Sequence, residues 1–267
     1  MQEINITRQR LTIRIGRNTL SFAIPQESDQ DIVFEPFVVK SGISMAANLR
    51  EAFRQADLLL QAPPRVRVSI DSDVLLVPVE TFNEQDIETP HHHAFPRQEH
   101  DAIYYNVLPD LNAVAIFSMN RDLRLVIDDH FQDVRLVSAV SPVWRHLHQR
   151  SFTGSRQKLY GYFHESRLDV FSFQQNRFRF SNSYDAARPK DAIYYLLYIW
   201  NQLQFDREHD ELHLVGDIPE QGPLVKELKK YVEKTYVINP VVDFNNHPVT
   251  QIKGMPYDLQ TLFVKGR

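Results

Sequence analysis

The order of elements in this chain occurs twice, and that duplication limits the folds open to it. The stretch "LTIRIGRNTLSFAI" (11–24) reads as a strand, a tight turn and a second strand. Leu11, Ile13 and Ile15 alternate with Thr12 and Arg14, Gly16 ends the run, and Leu20, Phe22 and Ile24 resume it. A third extended segment (31–40) carries Pro36, which predicts an edge or a bulge. A helix follows from an N-cap at Ser44, with Leu49, Ala52, Phe53, Ala56 and Leu60 inward, and then a strand over 65–71. The second half opens the same way. "KLYGYFHESRLDVFSFQ" is strand, turn, strand; "RFRFSNSY" is a third strand; "KDAIYYLLYIWNQLQFD" is a helix and "ELHLVGD" a strand. Leu11 answers to Leu159 and Ser44 to Lys190 at nearly the same offset, so the duplication is one of topology with little residue identity. It predicts two lobes, 1–150 and 151–267, with an insertion of about 71–112 in the first. The repeated "DAIYY" (101–105 and 191–195) is out of register with the duplication and reads as coincidence.

Between the two hairpins the first half continues as strand "NAVAIFSM", helix "NRDLRLVIDDHFQ", strand "DVRLVSAV" and helix "SPVWRHLHQ", the last with Ser141 as N-cap and Pro142 at its first position. "RSFTGSRQ" (150–157) is the linker between the halves, and "MPYDLQTLFV" packs back as a last short element. This pattern resembles the actin-like ATPase fold: an α/β architecture of two ribonuclease-H-like lobes, each a mixed five-stranded sheet flanked by helices. "VAIFSM", "RDLRLVIDDHF", "VRLVSAV" and "SPVWRHL" are similar to the first lobe of the pilus-assembly and cell-division actin homologues of bacteria. More narrowly, the chain resembles a family of uncharacterised bacterial proteins assigned to this fold.

The resemblance implies a nucleotide site between the lobes. Active members of the superfamily grip the phosphates and hydrated magnesium with two Asp-x-Gly hairpins, and receive the adenosine on a glycine-rich turn. The positions that would carry this site are Arg14, Gly16, Gly161, His164, Glu165, Gly216 and Asp217. Arg14 stands where the first aspartate would be, and an arginine offers magnesium no oxygen ligand. The second hairpin, "LYGYFHESRL", has no Asp-x-Gly in any register; Glu165 or Asp169 is the nearest displaced carboxylate. At the adenosine turn "LVGD" keeps one glycine, Gly216, and adds Asp217 where a polyphosphate would approach. With 8 glycines in 267 residues, the chain has few places for close backbone approach to phosphate. No catalytic residue is assigned, no cofactor is expected, and ATP with magnesium is disfavoured. A two-metal nuclease is disfavoured too, because neither first strand offers the carboxylate that holds ions about 4 Å apart.

Composition narrows the remaining classes. There is no cysteine, which removes disulfides, thiol catalysis and thiolate metal sites. A net charge of -4 gives no global field for nucleic acid. "MQEINITRQR" lacks an apolar stretch and no run approaches a membrane span, so the expectation is a cytoplasmic protein with no membrane contact. The histidines of "PHHHAFPRQEHD" (His91, His92, His93, His100) are weak metal candidates, and a solvated loop is preferred. Arg145, Arg150, Arg156 and Lys158 near the linker, with "RFRFS" (177–181), form a nucleic-acid candidate set against a polar linker and an ordinary half-buried strand. Nucleic acid is the less favoured partner. Arg14 itself reads as an exposed strand charge, or as an anion contact in the cleft. Tyr194, Tyr195, Tyr198 and Trp200 cannot all face one core from a helix, so a partner surface and packing against the tail stand equal. The leading expectation is a non-catalytic scaffold or interaction module with a protein partner of unknown identity. The alternatives are a divergent ATP-binding or phosphotransfer protein and a nucleic-acid binder.

Overall fold

The computed structural model describes residues 10–26, 31–96 and 100–265. The reading of the N-terminus as leaderless rests mostly on residues outside these, as do positions 97–99 of the histidine-rich stretch.

Two five-stranded mixed sheets repeat one another. The first has the order β3-β2-β1-β4-β8 and the second β11-β10-β9-β12-β13. In the first, β1 (Leu11–Ile15), β2 (Leu20–Pro25) and β3 (Ile32–Phe37) form an antiparallel meander; β4 (Arg65–Ile70) and β8 (Asp133–Ser138) then extend it in parallel from β1. In the second, β9 (Lys158–His164), β10 (Arg167–Gln174) and β11 (Arg177–Asp185) are the meander, and β12 (Glu211–Gly216) and β13 (Thr235–Val237) run parallel to β9. β3 is an edge strand, as Pro36 requires.

A smaller antiparallel sheet of order β5-β7-β6 is built from β5 (Val74–Pro78), β6 (Asp101–Leu108) and β7 (Ala113–Asn120). It runs eight residues past the expected end of the insertion. The strand "NAVAIFSM" therefore belongs here and not to the first five-stranded sheet. It reads as a core strand because β7 is the central strand and is buried on both faces, with Phe117 and Met119 packed against the first sheet's core and Val114 and Ile116 on the other side.

Helices form three layers around the sheets. On the outer face of the first lie α1 (Met45–Gln55), the single turn α2 (Asp57–Leu60) and α4 (Arg121–Asp128); α3 (Glu88–Ala94) belongs to the insertion. Ser44 caps α1, accepting from Ala47 N at 3.2 Å. Between the sheets lie α5 (Ser141–Ser151) and the C-terminal α9 (Tyr257–Lys265), which follows the short α8 (Pro240–Asp243). Val143, Trp144 and Leu147 of α5 pack on Tyr160, Tyr162 and Phe171 of the second sheet. Leu259 and Leu262 of α9 cover Ala23 of the first. The cap of α5 is Val140, not Ser141, so Ser141 is its first helical residue and no side chain caps this end. α6 (Pro189–Gln202) and α7 (Gln221–Leu228) close the outer face of the second sheet, through Leu196, Ile199 and Trp200. Tyr195 stacks on Tyr184 at 4.2 Å, while Tyr194 and Tyr198 are exposed. The tail packs on α5 and the first sheet, whereas the tyrosine-bearing α6 packs on the second.

Among the described residues, no helix is long and apolar enough to cross a membrane.

Candidate functional site

The duplication places β1 and β9 at matching positions in their sheets, so their hairpin turns meet between the lobes. The turn after β9 consists of Glu165 and Ser166, both left-handed at φ 43° and 65°. A two-residue hairpin turn wants Gly or Asn there. For other residues the left-handed region costs about 1–2 kcal/mol each. The strain persists because it points Glu165 into the first hairpin. There its carboxylate accepts from the backbone N–H of Asn18 at 3.0 Å, the Thr19 hydroxyl at 2.6 Å and Arg14 Nη1 at 2.7 Å. Gly16 leaves the space: a Cβ on it would lie 1.9 Å from Glu165 Oε1 and 2.3 Å from Thr19 Oγ1. Backbone and side-chain donors that converge on one oxyanion form an anion nest. In this chain the anion in the first hairpin is a carboxylate supplied by the second. Burial pushes the Glu165 carboxyl up, but Arg14 and Thr19 pull it below its ordinary value.

Arg14 is 3% exposed. The reading as an exposed strand charge is corrected: the anions that Arg14 meets between the lobes are the chain's own carboxylates. Its Nε donates to both oxygens of Asp258 on α9, at 3.0 and 2.9 Å, and Nη2 lies 2.8 Å from the same carboxylate. Burial works against the charge, but Asp258 and Glu165 outweigh it and hold the guanidinium firmly protonated. On the other side of the contact, His164 sits between two aspartates. Its Nδ1 is 2.9 Å from Asp71 at the end of β4, and its Nε2 is 3.0 Å from Asp169 on β10. Burial lowers the imidazole, yet Asp169 and Asp71 push it well above its usual range. Asp73 then accepts from Arg17 in the first hairpin (2.9 Å) and from Arg167 in the second (2.6 Å). The two lobes are thus joined by alternating charges: Asp258, Arg14, Glu165 on one side and Asp71, His164, Asp169 on the other. Each carboxylate already faces a cation. Among the described residues, no group of three or more His, Asp or Glu could hold a metal ion.

Of the positions expected to line a cleft, Arg14, His164, Glu165, Gly216 and Asp217 border one cavity of about 220 Å³, and Gly16 lies against Glu165 beside it. Gly161 does not belong with them. It is a packing glycine under α6, where a Cβ would meet Leu196, Leu214 and Leu168 at 3.1–3.2 Å. Gly216 is retained for backbone reasons: its φ is +93° and a Cβ would strike the Phe163 carbonyl oxygen at 2.0 Å. Asp217 N donates to that carbonyl. Sequence reasoning missed Asp71, Asp73 and Asp258. "SIDSDV" does place two acids just past the carboxyl end of a central parallel strand, where α/β crevices lie. No local signal links Asp258 to Arg14.

The remaining candidates resolve into ordinary structure. His91–His93 lie on α3 and not in a solvated loop; His91 is fully buried, which lowers its pKa, and His100 is exposed. The basic residues near the linker have internal partners: Arg145 bonds Asp110, Arg150 bonds Asp243, Arg156 reaches Glu211, and Lys158 turns to the carbonyls after α5. In "RFRFS", Phe178 packs on Trp144 and Phe180 in the core of the second sheet.

Comparison with solved structures agrees with this architecture. A Bacteroides thetaiotaomicron VPI-5482 protein described as having an actin-like ATPase fold and unknown function is 27% identical; the match covers 95% of this chain and 99% of that one, with a TM-score of 0.82. A PilM–PilN type IV pilus biogenesis complex matches at 10% identity over 88% of this chain and 89% of that one, with a TM-score of 0.51. The cytoplasmic domain of EpsL, an inner-membrane component of the type II secretion system of Vibrio cholerae, matches at 13% identity over 92% and 96%, with a TM-score of 0.45. The fold is therefore the actin-like ATPase fold. No curated protein matched the chain. The family described as "Protein of unknown function (DUF3822)" matches residues 1–235, and the chain belongs to it.

Proposed function

We propose that this protein uses the actin-like fold as a non-catalytic scaffold or interaction module, in the cytoplasm, with its inter-lobe cleft held shut by its own side chains. The observation that carries this reading is Glu165, which fills the first hairpin's nest with a resident carboxylate. A triphosphate entering there would have to displace it, break the bonds to Arg14 and meet Asp71, Asp73, Asp169 and Asp217. No position in either hairpin offers an uncommitted carboxylate for magnesium. Use of the fold in protein assembly is supported by the PilM neighbour, which is described in a complex with PilN. Nucleic-acid binding through the linker is the less favoured reading, since Arg145, Arg150 and Arg156 lie against Asp110, Asp243 and Glu211.

Isothermal titration with ATP and magnesium tests the proposal. The expected result is no saturable heat and no phosphate release; micromolar binding with turnover would overturn it. The alternative, a divergent nucleotide binder, draws on the cavity of about 220 Å³ beside Gly216 and Asp217. It predicts adenosine binding that the Asp217→Ala variant alters, even without the phosphates.

A further inference from the structure

A second cavity, of about 370 Å³, lies between β6 of the small sheet, β4 and β8 of the first sheet, and the start of α5. Its size falls within the ~300–1,000 Å³ typical of small-ligand pockets. At one wall is Arg67. Val66 and Val68 on either side of it point into the first core, so Arg67 faces the layer between the sheets, in register with Arg135 of β8. Arg67 is half-buried and, among the described residues, has no ion pair or hydrogen bond. Its charged neighbours are Arg10 and Arg135, and burial together with these two cations lowers its pKa. Of the other cations nearby, Arg10 is answered by Asp133 and Arg145 by Asp110. A partly desolvated guanidinium among like charges is unfavourable unless something negative completes it.

Two further groups line the same cavity with unmet hydrogen-bonding capacity. Ser141 is 6% exposed and His146 is 5% exposed; among the described residues the serine hydroxyl and His146 Nδ1 have no partner, while His146 Nε2 bonds Asp243 at 2.6 Å. Ser141 opens α5, an 11-residue helix with no acidic residue in its first turn and no side-chain cap, so its own first turn supplies nothing to answer the positive end of its dipole. Val107, Pro142 and Leu262 supply apolar lining to the same cavity. A cation, a hydroxyl and a helix start beside an apolar wall suit an oxyanion that carries an apolar body.

We propose that this pocket binds a small organic anion, with a carboxylate or phosphate head on Arg67 and Ser141 and an apolar body against Val107, Pro142 and Leu262. Benzoate and phenyl phosphate present one body with the two heads, and benzamide is the neutral control. Calorimetric titration in low-salt buffer free of phosphate is expected to show saturable millimolar or tighter binding of at least one anion. The anion that binds identifies the head. Arg67→Met should weaken it at least about tenfold, as loss of a charge-assisted contact does, and Ser141→Ala should weaken it without touching the charge. With no ligand, Arg67→Met should melt no lower than the parent, since it removes an unanswered charge. The proposal fails if neither anion saturates, if benzamide binds as tightly, if both variants bind like the parent, or if Arg67→Met melts lower, which would mean Arg67 already has a partner.

Discussion

Arg14 and Asp258 are 244 residues apart and form a bidentate contact, with Nε and Nη2 of the arginine 2.8–3.0 Å from the aspartate oxygens and both side chains at most 3% exposed. The pair pins the C-terminal helix to the first strand, and through Glu165 to the second lobe. Removing one partner from a buried pair costs about 3–5 kcal/mol, whereas replacing both by apolar groups is often neutral. Asp258→Asn should therefore lower the unfolding free energy by about 3 kcal/mol, since Glu165 still answers part of the Arg14 charge. The double variant Arg14→Met, Asp258→Leu removes both members of the pair but leaves Glu165 without its cation, so it should recover only part of that loss. Denaturant unfolding of the four proteins of the cycle checks it. Additive losses would show that the pair is not a unit.

Gly16 and Glu165 make a second pair, steric where the first is electrostatic. A Cβ at position 16 would overlap the Glu165 carboxylate. Overpacking of this kind costs about 1–3 kcal/mol. Gly16→Ala should be destabilised by that amount in the parent and by less in a Glu165→Ala background, where the Thr19 hydroxyl, 2.3 Å from that Cβ, is what is left to move aside. Thermal unfolding of both pairs of proteins measures the difference.

Glu165→Ala also empties the nest. Asn18 N, Thr19 Oγ1 and Arg14 Nη1 then converge on a space that suits an outside anion. Inorganic phosphate at low ionic strength should raise the melting temperature of Glu165→Ala and leave the hairpin of the parent unaffected. Equal shifts in the two proteins would mean that Glu165 is not the resident ligand of the nest.

The two-lobed fold was legible because it rests on short-range signals. Alternation over 11–24 and its echo over 158–174 gave both hairpins, and Pro36 gave the edge strand. Sequence also found that the hairpins lack Asp-x-Gly. It could not find what replaced the aspartates. Local sequence points Arg14 to the surface, because a polar residue in a strand that alternates faces water by default; the layer of α5 and α9 that buries it is assembled from residues more than a hundred positions away. The same long-range packing hid Asp258. β7 was misassigned for a related reason, since a strand buried on both faces has the same composition in a small central sheet as in a large one.

Gly216 shows which part of the superfamily's glycine turn the backbone itself demands. Its φ is +93° and a Cβ would lie 2.0 Å from the Phe163 carbonyl oxygen, which Asp217 N needs as an acceptor. Gly216→Ala should cost about 1–3 kcal/mol through strain alone. Asp217→Ala, which leaves that backbone bond intact, should cost much less. Paired urea titrations separate a glycine kept for the chain's path from one kept for a ligand.

The buried imidazolium gives the contact a pH signature. Because the folded state raises His164 well above its ordinary value, its stabilising contribution is complete below the unfolded pKa of about 6.5 and is lost as pH rises from there through the folded value. Glu165 behaves oppositely. Its folded pKa is lowered, so its contribution is present above about pH 4.5 and is lost as pH falls. Tyr162 and Tyr257, buried and raised, add alkaline sensitivity only above about pH 10, where the unfolded phenols ionise. Between about pH 6.5 and 9.5, then, the decline in melting temperature belongs mainly to His164. His164→Gln keeps a hydrogen-bonding side chain but leaves Asp71 and Asp169 without their shared cation. It should be less stable than the parent at pH 6.5, and its melting temperature should stay nearly flat across that window while the parent's falls toward it. Parallel curves for the two proteins would mean that His164 does not carry the charge that joins β4 to β10.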